Sequence, residues 1–105
     1  MYYRSTRGAK GSVTASEAIL KGLAEDGGLY VPEDFPRLPG SLKELSELDY
    51  RVLARRILSC YLTDFTEEEL RDCVGSAYNE RNFDNPKIAP LRKLEGDFLL
   101  ELFHG

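Results

Sequence analysis

The side chain best suited to acid–base or metal chemistry in this sequence is its single histidine, His104, which stands next to the last residue, Gly105. Imidazole titrates near neutral pH and is the commonest metal ligand in proteins, so this position could mark a functional site. A metal site would need further ligands, but the chain has no second histidine, and Cys60 and Cys73 lack the spacing of a zinc motif or a disulfide framework. We therefore expect no metal site, and a structural role for His104 is favoured over catalysis within this chain.

Basic side chains form a second candidate group, because Arg4, Arg7 and Lys10 lie near the N-terminus with no acid among the first sixteen positions. Such a group could bind a small anion, although a solvated arm is the simpler interpretation. The chain as a whole carries a net charge of −4, which opposes the binding of nucleic acid through its phosphates. We expect no nucleic-acid partner.

A third candidate is the run Asp26-Gly27-Gly28-Leu29, in which adjacent glycines allow the backbone to approach another chain segment or a ligand closely. The alternative is purely structural. Glycines commonly end a helix, because the left-handed turn that follows favours a residue without a Cβ. The residues alone leave both interpretations open.

A helix is expected before these glycines. Thr14 and Glu17 have the spacing of a capping box, in which the threonine oxygen and the glutamate each bind a free backbone N–H. The helix is predicted to end at Gly27-Gly28. Its buried face is predicted to consist of the residues at helical spacing, Ala15, Ala18, Ile19, Gly22 and Leu23.

Two longer helices are predicted in the middle of the chain, after one or two helical turns at 41–47. Asp49 caps the stronger one, over residues 49–62, and a capping box at Thr66 opens the other. Because only residues 63–65 separate them, they are expected to form an antiparallel hairpin. Their buried faces are predicted to contain Tyr50, Leu53, Ala54, Ile57, Leu58, Tyr61 and Leu62, and then Leu70, Cys73, Val74, Ala77 and Tyr78.

Short strands are predicted at both ends of the chain. Residues 2–6 are rich in β-forming side chains, and residues 88–103 read as strand, turn and strand. The run Phe98-Leu99-Leu100 is apolar without a break, so we expect that strand to be covered on both faces. The predicted fold is α+β: three to four helices with a short β-sheet formed by the N-terminal strand and a C-terminal hairpin.

Length and composition fit one small soluble domain. The chain has 105 residues, 42% of them apolar and 30% charged, and lacks the roughly 18 consecutive apolar residues of a membrane span. The basic N-terminus has no apolar stretch behind it, so it does not resemble a signal peptide. With two unpaired cysteines, a cytoplasmic location is expected.

Three stretches closely resemble the N-terminal part of threonine synthase in order and spacing: YRSTRG at 3–8, AEDGGLYVP at 24–32 and LELFHG at 100–105. DGGLYVP and ELFHG are specific in combination, whereas STRG alone is weak. The resemblance covers the whole chain and implies a single N-terminal domain over residues 1–105, with a variable helical insert at about 33–85.

The resemblance implies a pyridoxal-phosphate enzyme that converts O-phospho-L-homoserine and water to L-threonine and phosphate, with the cofactor acting as electron sink. In the family, ELFHG continues into Pro-Thr and then Phe-Lys-Asp, whose lysine carries the cofactor. We therefore expect the cofactor lysine and the cofactor-binding domains to lie beyond Gly105. On this interpretation, residues 1–105 contain no catalytic or cofactor-binding residue, bind no pyridoxal phosphate and do not turn over alone.

The resemblance also implies which residues border the active site of the intact enzyme. These are Ser5, Thr6, Arg7, Asp26, Gly27, Gly28 and Leu29, together with His104 and Gly105, which would shape the turn into the cofactor lysine loop. The partners implied are the cofactor-binding domains of the same chain and the substrate O-phospho-L-homoserine. The alternative function is a free-standing protein-interaction module that shares this fold.

Overall fold

The computed structural model describes residues 1–102, which form four helices and four short strands. In chain order they are β1 (Tyr3–Ser5), α1 (Ala15–Lys21), β2 (Tyr30–Pro32), α2 (Leu42–Ser46), α3 (Tyr50–Tyr61), α4 (Glu67–Ala77), β3 (Leu91–Leu94) and β4 (Asp97–Leu100). The predicted α+β class and number of helices are confirmed.

Each helix begins with a side-chain cap. Thr14 and Thr66 form the predicted capping boxes, and Asp49 accepts a hydrogen bond from the Val52 N–H at the start of α3. A further capping box at Ser41, which was not predicted, opens α2. The start of a helix could be predicted because the capping side chain and the backbone N–H that it binds are only three residues apart.

The end of α1 was predicted wrongly. The helix ends at Lys21 and not at Gly27-Gly28, because Gly22 already adopts a positive φ of 71° and its N–H bonds to the Ala18 carbonyl. The predicted buried face is also largely wrong. Of its five residues, Ala15 is buried and Ala18 half-buried, whereas Ile19, Gly22 and Leu23 are exposed, since nothing among the described residues covers that side of the short helix.

The helices α3 and α4 pack against each other, as the short connection between them predicted. Leu70 and Val74 of α4 are buried, and the apolar stripe of α3 is mostly half-buried. The rings of Tyr50 and Tyr78 meet edge to face, with centroids 5.0 Å apart. Cys73 was expected on the buried face, but it is exposed, because Leu70 and Val74 occupy that face instead.

The four strands form two separate sheets rather than the single sheet predicted. β1 pairs with β2 in antiparallel fashion, so that Tyr3 lies opposite Pro32 and Ser5 opposite Tyr30. β3 and β4 form a hairpin of their own, closed by a two-residue turn. β2, which was not among the strands predicted to form the sheet, supplies the hydrogen-bonding partner of β1.

The C-terminal hairpin is more exposed and shorter than predicted. Phe98, Leu99 and Leu100 are 66%, 45% and 51% exposed, so the expectation that β4 is covered on both faces is wrong for the described residues. β3 starts at Leu91 and not at Ile88, because Ile88 has a φ of 67°, which an extended strand cannot adopt. Predicted strand residue Phe103 lies outside the described residues.

The N-terminal sheet and α1 are attached to the α3–α4 pair by polar contacts. The Tyr3 hydroxyl donates to the Tyr61 carbonyl at 2.9 Å, and the Ser16 N–H and hydroxyl both donate to the Asp64 carboxylate. Burial, and secondly the negative charge of Asp64, raise the pKa of Tyr3. These contacts fix the position of the sheet, and with it the two loops at its end.

Candidate functional site

The β1–β2 pairing brings two of the predicted site segments together. Because Ser5 ends β1 opposite Tyr30, which starts β2, the residues that follow Ser5 lie beside those that precede Tyr30. The residues that meet here are called the Asp26 cluster: Ser5, Thr6, Arg7, Asp26, Gly27, Gly28 and Leu29.

The Asp26 carboxylate is the centre of this cluster. Its Oδ1 accepts from the Ser5 hydroxyl at 2.6 Å and from the Gly28 N–H at 3.0 Å, and its Oδ2 accepts from the Ala9 N–H at 3.0 Å. The Ser5 hydroxyl, and then the Gly28 N–H, hold the pKa of Asp26 below its usual value, because both bind the ionised form. Asp26 is therefore a fixed carboxylate and unsuited to proton transfer near neutral pH.

Gly28 is needed because the two loops approach very closely. A Cβ at this position would lie 2.1 Å from the Ser5 Oγ and 3.0 Å from the Arg7 backbone nitrogen. Gly27 has a φ of 76°, in the left-handed region that side chains disfavour. Since α1 ends at Lys21, these two glycines do not end a helix, and close approach to another chain segment is the correct interpretation.

Thr6 and Leu29 extend the β1–β2 ladder by one more pair. The Thr6 N–H donates to the Leu29 carbonyl at 2.9 Å, and the Leu29 N–H donates back to the Thr6 Oγ1 at 3.0 Å. The threonine side chain thus takes the place of a backbone acceptor. Both loops leave the sheet in a defined direction as a result.

Arg7 is the member of the cluster with unused binding capacity. Its Nη1 donates to the Asp26 carbonyl at 3.1 Å, and within residues 1–102 its guanidinium forms no ion pair. A guanidinium has five N–H donors in a planar fork that suits carboxylate and phosphate. The side chain is exposed, so these donors are accessible.

The other basic residues near the N-terminus are not part of this arrangement. Arg4 pairs with Glu33, with Nε and Oε1 2.6 Å apart, and Lys10 is exposed. The three residues therefore do not form one anion site. Arg4 is paired with Glu33, Lys10 is exposed, and Arg7 belongs to the Asp26 cluster.

The remaining predicted site residues, His104 and Gly105, lie outside the described residues. Between Met1 and Leu102, the structure contains no group of three or more side chains that could hold a metal ion. Over the same range, no helix has the length and apolar character that crossing a bilayer requires. The Ala9 N–H was missed by sequence reasoning, because a backbone donor leaves no residue-type signal.

Comparison with known proteins gives a consistent result. A family model described as "Threonine synthase N terminus" matches residues 2–78. Threonine synthase of Schizosaccharomyces pombe is 36% identical over 98% of the chain, which corresponds to 20% of that protein. Human "Threonine synthase-like 1" is 44% identical over 86% of the chain and 13% of its own length.

Solved structures agree with the sequence relatives. The crystal structure of PLP-bound threonine synthase from Brucella melitensis has a TM-score of 0.83 and 32% identity, and covers all of this chain and 23% of that one. Threonine synthase from Escherichia coli has a TM-score of 0.73 and 30% identity, and 24% of its chain is covered. The present sequence thus spans at most about a quarter of the threonine synthases that it matches.

Proposed function

Since this chain belongs to the threonine synthase family, we propose that it serves as the N-terminal domain of an enzyme that converts O-phospho-L-homoserine and water to L-threonine and phosphate. The match of the threonine synthase N-terminus model to residues 2–78 is the observation that carries this proposal. The Brucella melitensis structure supports it, because its backbone is similar over the full length of the chain.

The pyridoxal-phosphate chemistry is proposed to belong to the rest of the enzyme. The cofactor needs a lysine in an enclosed site for a Schiff base. All five lysines of the chain are exposed: Lys10, Lys21, Lys43, Lys87 and Lys93. The described residues therefore do not fit the cofactor. We expect the chain alone to bind no stoichiometric pyridoxal phosphate and to show no turnover.

The C-terminal hairpin is proposed to pack against those cofactor-binding domains. Leu91, Leu94, Phe98, Leu99 and Leu100 are between 45% and 66% exposed, on both faces of a two-stranded sheet. Contiguous apolar surface of this kind is unusual in a protein without a partner. The Asp26 cluster is proposed to border the substrate side of the cleft, with Arg7 as its accessible group.

A domain replacement tests the proposed function. In the Brucella melitensis enzyme, the matching N-terminal quarter is deleted or replaced by residues 1–105, and phosphate release from O-phospho-L-homoserine is measured. The replacement is expected to restore the activity that the deletion abolishes. A soluble hybrid that contains the cofactor and remains inactive would contradict the proposal.

The two free cysteines fit the reducing cytoplasm, where we expect the enzyme to act.

Two further observations separate this function from the alternative of a free-standing interaction module. The gene is expected to continue past codon 105 into Pro-Thr and Phe-Lys-Asp, whereas a stop codon there would favour the module. Titration of the chain with pyridoxal phosphate is expected to give no saturable imine absorbance at one cofactor per chain. A saturable band of that stoichiometry would contradict the assignment of the cofactor site to other domains.

A further inference from the structure

We infer that Asp26 is a positioning residue for Arg7, whose guanidinium binds an oxyanion of the substrate, and that the Ser5 hydroxyl and the Thr6 side-chain oxygen hold the two loops together. The identity of the substrate rests on the proposed function. The division of roles rests on the hydrogen bonds of the Asp26 cluster.

The oxygens of both hydroxyl groups already accept hydrogen bonds within the protein. Ser5 has one proton, which it donates to Asp26, and its oxygen accepts the Arg7 N–H at 3.1 Å. The Thr6 oxygen accepts the Leu29 N–H, which completes the pairing of the two loops. A substrate could take the Ser5 proton only by breaking the bond to Asp26, and that would leave the carboxylate without this donor.

Asp26 is bound to Arg7 from two sides. The Asp26 carboxylate accepts from the Ser5 hydroxyl, and the oxygen of that hydroxyl in turn accepts from the Arg7 backbone N–H. The Asp26 backbone carbonyl accepts from the Arg7 Nη1. The guanidinium also lies over Gly27, where a Cβ would be 2.9 Å from Nη1. Both ends of the arginine are therefore held relative to Asp26, which reduces the entropy lost when the side chain binds an anion.

The substrate offers two groups that suit this arginine. O-phospho-L-homoserine carries a phosphate and a carboxylate, and the guanidinium fork can bind either through paired hydrogen bonds. The shared chemistry is a small oxyanion. Inhibitors that carry only one of the groups distinguish the two: inorganic phosphate for the first, and L-homoserine for the second.

Steady-state kinetics of the full-length enzyme test this role. Arg7→Ala and Asp26→Asn are each expected to raise KM for O-phospho-L-homoserine about tenfold with little change in kcat, because binding is lost rather than chemistry. The double variant is expected to be no worse than Arg7→Ala, since Asp26 acts through Arg7. Inhibition by one of the two, phosphate or L-homoserine, is expected to weaken as KM rises, and that inhibitor identifies the group that Arg7 binds. Glu25→Gln removes a neighbouring exposed charge and serves as the control without effect.

Amide hydrogen exchange in the 105-residue chain tests the loop contacts independently of activity. Asp26→Asn is expected to speed exchange at Gly28 and Ala9, whereas Glu25→Gln leaves both unchanged. Unchanged exchange, an unchanged KM, additive effects in the double variant or a fall in kcat alone would each overturn the inference. If the unmodified enzyme does not turn over O-phospho-L-homoserine, the proposed function fails and the substrate role of Arg7 fails with it. The exchange result then still decides whether Asp26 holds the loops.

Discussion

The two sheets of this protein are alike in size and pairing but are stabilised in different ways. β1–β2 is joined by backbone bonds, and polar groups of Asp26, Ser5 and Thr6 add further hydrogen bonds at its end. β3–β4 is rich in leucine and phenylalanine, yet all eight of its strand residues are exposed. Its hydrogen bonds between described residues lie within 90–101.

The difference indicates that hydrogen bonds to other parts of the chain hold the first sheet in place, whereas the second presents mainly exposed apolar side chains. Hydrogen bonds join the two loops at the end of the β1–β2 sheet, and the Tyr3 hydroxyl anchors that sheet to α3. The hairpin exposes apolar side chains that would gain about 25 cal/mol for every Å² covered by a partner. The more apolar segment is therefore the less well stabilised one in isolation.

The largest effect is expected at Gly28, where the two loops of the N-terminal sheet touch. Gly28→Ala places a Cβ 2.1 Å from the Ser5 Oγ, and the strain should lower the free energy of unfolding by about 3 kcal/mol. This change in the free energy of unfolding is measured by urea denaturation, with circular dichroism as the signal. Gly75→Ala is the matched control, since its Cβ meets nothing within 4 Å and it should stabilise α4 by up to about 1 kcal/mol. Equal effects of the two substitutions would remove the argument for close approach.

A smaller effect is expected from the anchor of the N-terminal sheet. Tyr3→Phe removes the hydroxyl that binds the Tyr61 carbonyl and should lower the free energy of unfolding by about 1 kcal/mol. Tyr2→Phe, at a residue that is 55% exposed, makes the same chemical change without that contact and should have no measurable effect. If both variants unfold at the same urea concentration, the anchor does not contribute to stability.

The C-terminal hairpin should tolerate polar substitution in the isolated chain. Replacing Phe98 and Leu100 by threonine keeps β-forming residues and should change the free energy of unfolding by less than about 1 kcal/mol. The same double substitution should reduce self-association, measured by sedimentation velocity, because it removes exposed apolar surface. A loss of several kcal/mol would mean that the hairpin is buried in the isolated chain.

The last expected effect concerns the Asp26 charge, whose contribution to stability is observed as a dependence of the unfolding free energy on pH in the acid range. Because the folded state lowers the pKa of Asp26 from its ordinary 3.8, its contribution is present above that pH and is lost as the pH falls below it. The unfolding free energy should therefore fall less steeply below pH 4 in Asp26→Asn than in the wild type. Asp64→Asn should act in the same direction, since Ser16 lowers the pKa of Asp64. The same reduction of the pH dependence of the unfolding free energy in Glu25→Gln would contradict the assignment of this effect to Asp26.

The features that could be predicted from the sequence are those set by neighbouring residues. The capping residues Thr14, Asp49 and Thr66 identified the starts of three helices, because each cap acts over three positions. The sequence did not show that α1 ends before Gly22 rather than at the next glycines, Gly27 and Gly28. The exposure of Phe98 depends on what lies against the hairpin, which its own sequence does not specify.

The candidate site was only partly predictable for a similar reason. Arg7 and Asp26 were chosen because of the motifs that contain them, but their contact depends on the pairing of β1 with β2. That pairing joins Ser5 to Tyr30 across a long stretch of chain. The separate roles of Ser5 and Thr6 follow from individual hydrogen bonds, which residue types alone do not reveal.

The contact between Tyr3 and Tyr61 has a consequence for biosynthesis. The two residues are separated by 58 positions, so the hydroxyl of the first strand has no acceptor until α3 has left the ribosome. At translation rates of 5–20 residues per second, this delay is about 3 to 12 s. β1 can pair with β2 well before then. The hydrogen bond that anchors the N-terminal sheet to the helical pair can therefore form only after residue 61 has been synthesised.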